Sequence, residues 1–378
     1  MKKVIIFVIL MPGILFAGTI HVPDDSPTIQ DAINSAVNKD TILIAPGVYK
    51  ENILLKHKTV TLASLFLNFK DITYIGQTVI DGNGETVLLI EGVGSETKII
   101  GLTIRNGEDG ISTDSKIQIV HNRFIQNEDG IDYENGSGLC QGNLFENNTD
   151  DGIDLDGACD VIIEDNIIRN NQDDGIEIRL HPYNGSVLNI IIRNNIISGN
   201  QEDGIQFIDY STRTDRVFRV ERNVITNNAM SAIGCMGKEN TRENYESADI
   251  PEQIFIINNT FVGGNYGITG GDNMVVLNNI FAKIHKIAMK RVDGNSIAAY
   301  NLFRGNGTDL EKCNWQKGTT LFKDPALGSE YELMADSPCI DAGTSEFVWK
   351  SQKLLTLPKE CYIGSAPDLG AVEFKTSN

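Results

Sequence analysis

The chain has few basic residues for its length, and this shortage narrows the possible functions. Its 378 residues include 51 acidic side chains and 32 basic ones, which gives a formal net charge of -19. Such an acidic balance argues against nucleic acid as a partner. It favours cations, or polyanions that are bound through cations. The hydrophobic content of 41% is enough for a sizeable core.

The chain also lacks long apolar runs, except for one at its N-terminus. The stretch "MKKVIIFVILMPGILFAG" begins with two lysines and ends in the small residues Ala17 and Gly18. This pattern predicts a signal peptide over residues 1–17, because the run is short for a membrane span and no second candidate follows. We therefore expect a secreted, periplasmic or cell-surface bacterial protein, monomeric, with no membrane span after cleavage. Residues 18–378 are expected to form a single domain.

Six cysteines in an exported chain could pair, with fifteen possible full connectivities, but we do not expect all of them to do so. Cys140 falls on a position that the repeats described below mark as core, where a small apolar side chain fits. Cys313, Cys339 and Cys361 lie together in the last third of the chain, and we expect one disulfide among them.

Aligning the chain on itself shows a repeat of roughly twenty to thirty residues. Two columns define the repeat, and the step from the first to the second is always eight or nine residues. The first column contains Asn122, Asn143, Asn166, Asn195, Asn223, Asn259, Asn279 and Asn301, with Gly101 in the same place one repeat earlier. The second contains Gly110, Gly130, Gly152, Gly175, Gly204 and Gly267, with Ala232 and Ala288 as substitutes.

Around both columns, apolar residues alternate with polar ones, which is the period of a strand. Three short strands per repeat, separated by tight bends and stacked on their neighbours, predict an all-β fold, a single-stranded parallel β-helix or solenoid. We expect the asparagine column to supply left-handed bend residues. We also expect its side chains to hydrogen-bond to each other from coil to coil.

The whole pattern resembles the right-handed parallel β-helix proteins of the pectin-lyase-like superfamily. The segment "TIQDAINSAVNKDTILIAPGVYKENI" is similar to the N-terminal capping helix and first coil of such proteins, with Ile29, Ala32, Ile33 and Ala36 on one helical face. The closing "APDLGAVEF" is similar to their C-terminal ends. The resemblance implies a cap and first coil over 18–58, repeats over 59–310, and C-terminal coils and cap over 311–378.

The step from the glycine column to the next asparagine varies, and three consecutive repeats carry enlarged loops there: Ile178–Leu188, Ile208–Val217 and Gly234–Ile254. Insertions on one edge of a solenoid form a wall that commonly carries function. These loops hold basic and aromatic side chains that suit a sugar chain bearing carboxylates. The alternative is that the basic groups only neutralise neighbouring acids. The candidates are Arg179, Tyr183, Tyr210, Arg213, Arg216 and Lys238.

Paired acids precede five of the glycines, and further acids follow on the outward face of the next strand. At a coil spacing of about 4.8 Å, two carboxylates repel by roughly 3.5 kcal/mol at an effective dielectric of 20. The column therefore predicts bound cations or retained protons, and calcium is the natural cation for oxygen ligands. A single aspartate before glycine, however, is also ordinary turn chemistry. The cluster is densest in "NTDDGIDLDG", at Asp150, Asp151 and Asp154.

This stretch is similar to the calcium-binding "DDGFDLW" of one family of bacterial β-helix pectate lyases. The resemblance implies calcium ligands at Asp150, Asp151 and Asp154, with Asp129 as the fourth, and β-elimination of an acidic polysaccharide. That family's base is a lysine in "GFKL", whereas this chain has "GIEI", with Glu177 in the lysine's place. Arg179, Lys238 and Arg213 become the candidate bases, and Glu177, Tyr183, Tyr210 and Arg216 the candidate substrate-binding residues.

Two other functions fit the same sequence. A glycoside hydrolase would need only two suitably spaced carboxylates, although the "GHG" and "RIK"-like stretches of polygalacturonases do not occur here. A non-catalytic protein that binds calcium and polysaccharide at the cell surface would need no base at all. The absent lysine favours binding alone, while the loop wall favours an enzyme.

Overall fold

Three long parallel sheets run the length of the protein in this computed structural model, which describes residues 17–210, 214–237, 245, 248 and 250–375. The sheets contain 12, 11 and 11 strands, and each coil of the chain adds one strand to each sheet. This arrangement confirms the predicted single-stranded right-handed parallel β-helix. The predicted signal peptide, residues 1–17, lies almost entirely outside the described residues and stays a prediction.

The strands of the three sheets follow one another along the chain in a fixed order. Sheet A contains Thr19–Val22, Thr41–Ile44, Thr61–Ser64, Lys98–Ile100, Lys116–Val120, Ser137–Gln141, Asp160–Glu164, Leu188–Arg193, Arg216–Glu221, Gln253–Ile257, Met274–Leu277 and Ile297–Ala299. Sheet B contains Gly47–Lys50, Thr78–Asp81, Thr103–Arg105, Arg123–Ile125, Leu144–Glu146, Ile167–Arg169, Ile196–Ser198, Val224–Thr226, Thr260–Val262, Ile280–Ala282 and Leu302–Arg304. Sheet C contains Ile53–Lys56, Leu88–Glu91, Asp109–Thr113, Asp129–Glu134, Ile153–Asp156, Ile176–Arg179, Ile205–Ile208, Ser231–Met236, Tyr266–Thr269, Ile287–Lys290 and Thr308–Glu311.

A short helix, α1 (Ile29–Ser35), closes the N-terminal end of the coil stack. The Thr28 hydroxyl caps it by accepting a hydrogen bond from the backbone N–H of Asp31. Its apolar face covers the first coil and buries Ile29, Ala32 and Ile33. The predicted capping helix is therefore confirmed, and it shields apolar side chains that would otherwise face water.

Several short elements depart from the repeat. Helices α2 (Phe66–Phe69) and α3 (Thr73–Gln77) interrupt an early coil, and 3₁₀ turns occupy Lys317–Thr319 and Lys359–Cys361. An antiparallel hairpin, Glu346–Trp349 with Gln352–Thr356, follows the last coil. Among the described residues, no helix is long and apolar enough to cross a membrane.

The interior is built from columns of like side chains, because parallel pairing places equivalent residues one above another. On sheet A, Ile119 pairs with Cys140 and Cys140 with Ile163, and all three are fully buried. On sheet B, Phe124 stacks on Phe145 with ring centroids 4.8 Å apart. The core position of Cys140 confirms the prediction from the repeats.

The expected asparagine ladder is present, but its bend geometry is shifted by one residue. Asn143 is typical: its Nδ2 donates to Asn166 Oδ1 at 3.1 Å. The left-handed residue is the one before each asparagine, such as His121 or Asn194, and not the asparagine itself. Gly101 belongs to that preceding column, and Leu102 occupies the asparagine position.

All six cysteines are unpaired. The expected disulfide among the last three is therefore wrong, because they lie in different environments. Cys313 packs against the main core, Cys339 is buried beneath the C-terminal segment, and the backbone carbonyl of Cys361 accepts a hydrogen bond from Arg222.

Candidate functional site

The acidic residues meet on the outer face of sheet C, beside the enlarged loops. Within Ile153–Asp156, Ile153 and Leu155 point into the core, while Asp154 points away from it. Parallel register places Asp132 and Glu177 on either side of Asp154, one coil away in each direction. Asp154 and Glu177 are nevertheless only 6% and 7% exposed. Two neighbouring carboxylates of this outward-facing row are therefore buried.

A second row of acids lies where each coil turns into sheet C. The backbone N–H of Asp151 donates to Asp129 Oδ1 at 2.9 Å, and that of Asp174 donates to Asp151 Oδ1 at 2.7 Å. The N–H of Asp203 continues the ladder by donating to Asp174 Oδ1 at 2.6 Å. These contacts give the aspartates a structural role, since one oxygen of each accepts a backbone hydrogen bond. Oδ2 of Asp174 is buried and has no hydrogen-bond partner among the described residues.

The two rows converge on Asp151. Its carboxylate lies within 4.8 Å of ligand oxygens from Asp150 and Asp173, and it forms a second such group with Asp154 and Glu177. We call these five residues the Asp151 cluster. Oδ1 of Asp154 is buried and has no hydrogen-bond partner among the described residues. Two groups of three carboxylates that share Asp151, with a buried oxygen left without a partner, suit an oxygen-binding cation such as Ca²⁺.

Arg179 lies against the cluster from the end of its own strand. Its guanidinium is 2.5 Å from Glu177 Oε1, 3.4 Å from Asp154 Oδ2 and 3.5 Å from Asp156 Oδ2. Burial alone would lower the pKa of Arg179, but the carboxylates of Asp154, Glu177 and Asp156 raise it above its ordinary value. The shift is opposite to the one that a general base requires.

Burial is the main cause of raised carboxylate pKa values in this region. It raises the pKa of Asp154 to about 9, that of Asp129 to about 8 and that of Glu177 to about 7, with neighbouring acids adding to the shift. The pKa of Asp151 rises well above its ordinary value for the same reason. Near neutral pH, the cluster therefore needs either protons or cations to offset its mutual repulsion.

The structure brings three of the four predicted metal ligands together. Asp150, Asp151 and Asp154 all belong to the Asp151 cluster, whereas Asp129 contributes to none of the candidate groups among the described residues. Asp173 and Glu177, from the next coil, complete the cluster instead. The signal for them was available in the sequence, because both align with Asp150 and Asp154 one repeat later.

The described parts of the loops after Arg179 and Ile208 lie at the same edge of the solenoid, where sheet C connects to sheet A. The third predicted loop, Gly234–Ile254, lies partly outside the described residues. Tyr210 packs on His181 with ring centroids 4.6 Å apart. Arg216 is 4% exposed and donates to the backbone carbonyls of Gly157 and His181. Arg216 thus links the loop after Arg179 to Gly157 in the preceding coil.

Arg216 also lies over the ring of Tyr183, with its Cζ 5.6 Å from the ring centroid. This contact holds Tyr183 at the loop edge, where the ring is half-buried. The substrate-binding roles of Tyr183, Tyr210 and Arg216 stay predictions. Two of the candidate bases, Arg213 and Lys238, lie outside the described residues.

Comparisons with known proteins agree on the fold. The family model described as "Right handed beta helix region" matches residues 64–214. A crystal structure of the pectate lyase Pel9A is similar over 96% of this chain and 98% of its own, with a TM-score of 0.63 and 16% identity. The protein thus has the fold of a right-handed parallel β-helix.

Two further solved structures have lower similarity. An α-1,3-glucanase catalytic unit from Streptomyces thermodiastaticus has a TM-score of 0.47 at 15% identity, covering 82% of this chain and 68% of its own. A Yersinia enterocolitica exopolygalacturonase has the same TM-score and identity, covering 82% and 79%. A comparison with curated proteins found no match.

Proposed function

We propose that this protein is an exported, calcium-dependent enzyme that cleaves an acidic polysaccharide by β-elimination. The observation that carries the proposal is the Asp151 cluster, which gathers five carboxylates on the sheet face beside the loop wall. Exported proteins meet calcium at high concentration, and a cation held there would attract a polymer of uronate sugars. The fold alone is shared by proteins of many functions and does not choose among them.

The residues of the cluster fit a calcium ion. Carboxylate oxygens are the ligands it prefers, and Asp154 Oδ1 is a buried oxygen without a partner among the described residues. Asp150, Asp151, Asp154, Asp173 and Glu177 would hold the ion. When bound, it supplies charge neutralisation of the sugar carboxylate and so acidifies the neighbouring C–H.

Arg179 serves as a clamp and not as the base in this proposal. Its guanidinium is fixed by Asp154 and Glu177 and retains its proton, so it binds a substrate carboxylate or a developing negative charge. The base then comes from the third predicted loop, Gly234–Ile254, where Lys238 is the best candidate because an amine releases a proton more readily than a guanidinium. Tyr183 and Tyr210 would contact the sugar rings from the loops after Arg179 and Ile208.

A glycoside hydrolase is the second candidate, and one observation favours it. Hydrolysis needs a protonated carboxyl beside an ionised one. Burial raises the pKa of Asp154 to about 9, whereas that of Glu177 rises to about 7, so the two neighbours differ in their tendency to hold a proton. Asp154 would be the acid in that mechanism.

A panel of polyuronides, incubated with calcium or with a chelator, distinguishes these functions. Elimination produces unsaturated sugar ends that absorb ultraviolet light, and we expect this signal only with calcium. Reducing ends without absorbance would identify a hydrolase. If no polymer is cleaved, the enzymatic proposal is wrong, and retention on a polyuronide column would then support binding alone.

A further inference from the structure

The arrangement around Asp151 recurs one coil further along the solenoid. Asp150 and Asp151 are adjacent acids of one coil, and Asp173 is the first acid of the next; their ligand oxygens lie within 4.8 Å of one another. Asp173 and Asp174, with Glu202 from the following coil, form a group of the same kind and size. We call this second group the Asp174 cluster, and it shares Asp173 with the first.

Asp174 provides a separate indication of a missing ligand. The residue is 1% exposed, and its Oδ1 accepts the backbone N–H of Asp203. Its Oδ2 is buried and has no hydrogen-bond partner among the described residues. Oδ1 of Asp173 is buried and without a hydrogen-bond partner in the same way. Buried carboxylate oxygens are costly without a partner, so two such atoms in one cluster indicate a site for a positively charged ligand.

Arg179, the cation that contacts the first cluster, has no basic counterpart at the equivalent strand position of the next coil. Arg179 contacts Asp154 and Glu177, and parallel register places Ile208 at the position of Arg179 in the next coil. An isoleucine cannot neutralise charge. Within the described residues, no ion pair involves Asp173 or Asp174.

We propose that Asp173, Asp174 and Glu202 form a second divalent-cation site, one coil beyond the Asp151 cluster, with Asp173 shared between the two ions. The ligands are all carboxylate oxygens, which favours calcium over softer metals. The coil spacing of about 4.8 Å allows two ions to share a bridging carboxylate. This site goes beyond the proposed enzymatic function, because it requires cation binding and not cleavage.

Calorimetric titration of the intact, chelator-treated and desalted protein with calcium chloride tests the proposal. We expect two binding steps per chain. Glu202→Gln should remove one step, and Asp154→Asn should weaken the other. Glu128→Gln is the matched control, because Glu128 has the same position in its coil as Glu202 but belongs to no candidate group among the described residues. It should retain both steps.

Two results would overturn the second site. One is a single calcium, or none, bound by the parent protein. The other is a Glu202→Gln variant that still binds two. Thermal melts in chelator establish that each variant is folded, so a lost step reports binding and not unfolding. Polyuronide cleavage is measured separately, and its failure leaves the calcium stoichiometry intact.

Discussion

At the level of single residues, Asp154 shows how a surface position becomes an interior one. Strand alternation directs its side chain away from the core, yet Arg179 and the neighbouring coil cover it, so that only 6% of Asp154 is exposed. A carboxylate in that position is stabilised only by positive charge or by a proton. Arg179 supplies part of the positive charge, and the proposed cation would supply the rest.

Replacing Arg179 with glutamine should lower the free energy of unfolding of the cation-free protein by about 2 kcal/mol. The buried carboxylates of Asp154 and Glu177 would lose their positively charged partner, but the partial exposure of the Arg179 side chain limits the loss. Denaturant unfolding in chelator measures the loss. Added calcium should stabilise the variant more than the parent, because the ion replaces the missing charge.

Arg193→Gln is the control for that variant. Arg193 pairs with Glu164 at 2.6 Å on sheet A and has a side chain that is 44% exposed. We expect a smaller loss, about 0.5 kcal/mol, and an unchanged response to calcium. Equal stability of Arg179→Gln and the parent in chelator would contradict the role of Arg179 as an internal cation.

The raised carboxylate pKa values also predict how stability depends on pH. Burial raises the pKa of Asp154 to about 9, that of Asp129 to about 8 and that of Asp132 to about 7, from an ordinary value of 3.8. Their protonated forms favour the folded state, so this contribution is complete below about pH 4 and is lost as pH rises through 7 to 9.

Thermal unfolding between pH 6 and 9 should therefore show a falling melting temperature in chelator. Calcium should reduce the fall, since it replaces the protons as they leave. A melting temperature that stays level or rises with pH in chelator would show that these acids are already ionised in the folded protein.

At the level of structural elements, the left-handed bend residue lies one position before each asparagine of the ladder. The asparagine column was found correctly, but its left-handed bend residue was placed one position late. The reason is physical: each asparagine must aim its amide at the next coil, so the unusual backbone angle falls on a neighbour such as Arg222 or Tyr300. Those neighbours vary in type and leave no sequence signal.

A second asparagine ladder was missed for a related reason. Asn148, Asn171 and Asn200 are buried between sheets B and C, and Asn148 Nδ2 donates to Asn171 Oδ1 at 3.0 Å. In the sequence, these residues are adjacent to acidic turns, where asparagine is common for local reasons. Only the stacking of coils distinguishes a ladder from a series of separate turns.

Removing one asparagine from the first ladder should be costly. Asn195 Oδ1 accepts from the backbone N–H and from Nδ2 of Asn166, at 2.9 and 3.0 Å, and all these atoms are buried. Asn195→Ala leaves both donors unsatisfied and opens a small cavity, so we expect a loss of about 3 kcal/mol in urea unfolding.

The matched control is Asn189→Ala, at an exposed position of the neighbouring strand. It should change stability by less than about 0.5 kcal/mol. Similar effects of the two substitutions would mean that the ladder adds nothing beyond what a surface asparagine does.

At the level of the whole molecule, the repeat explains why the fold could be predicted while parts of the site could not. Every coil repeats the same columns, so the constant spacing of these columns in the sequence is enough to predict the solenoid fold. The site depends instead on which coils lie next to each other. Asp173, Asp174 and Glu202 are visible as acids in the aligned repeats, but only the stacked coils show that their oxygens lie close together. The C-terminal hairpin has no repeat to reveal it.

The hairpin should act as a cap whose removal loosens only the coils near it. Phe347 is 5% exposed and packs with Ile257, Leu277 and Ile297 on the outer face of sheet A. Phe347→Ala should cost about 3 kcal/mol of local stability. In a solenoid each coil contacts only its neighbours, so hydrogen exchange should rise across 253–299 and stay unchanged before about residue 140.

Phe322→Ala, at a position 53% exposed, is the control and should leave exchange unaltered. Uniformly faster exchange along the chain would mean that the coils unfold as one cooperative unit and that the hairpin stabilises the whole solenoid.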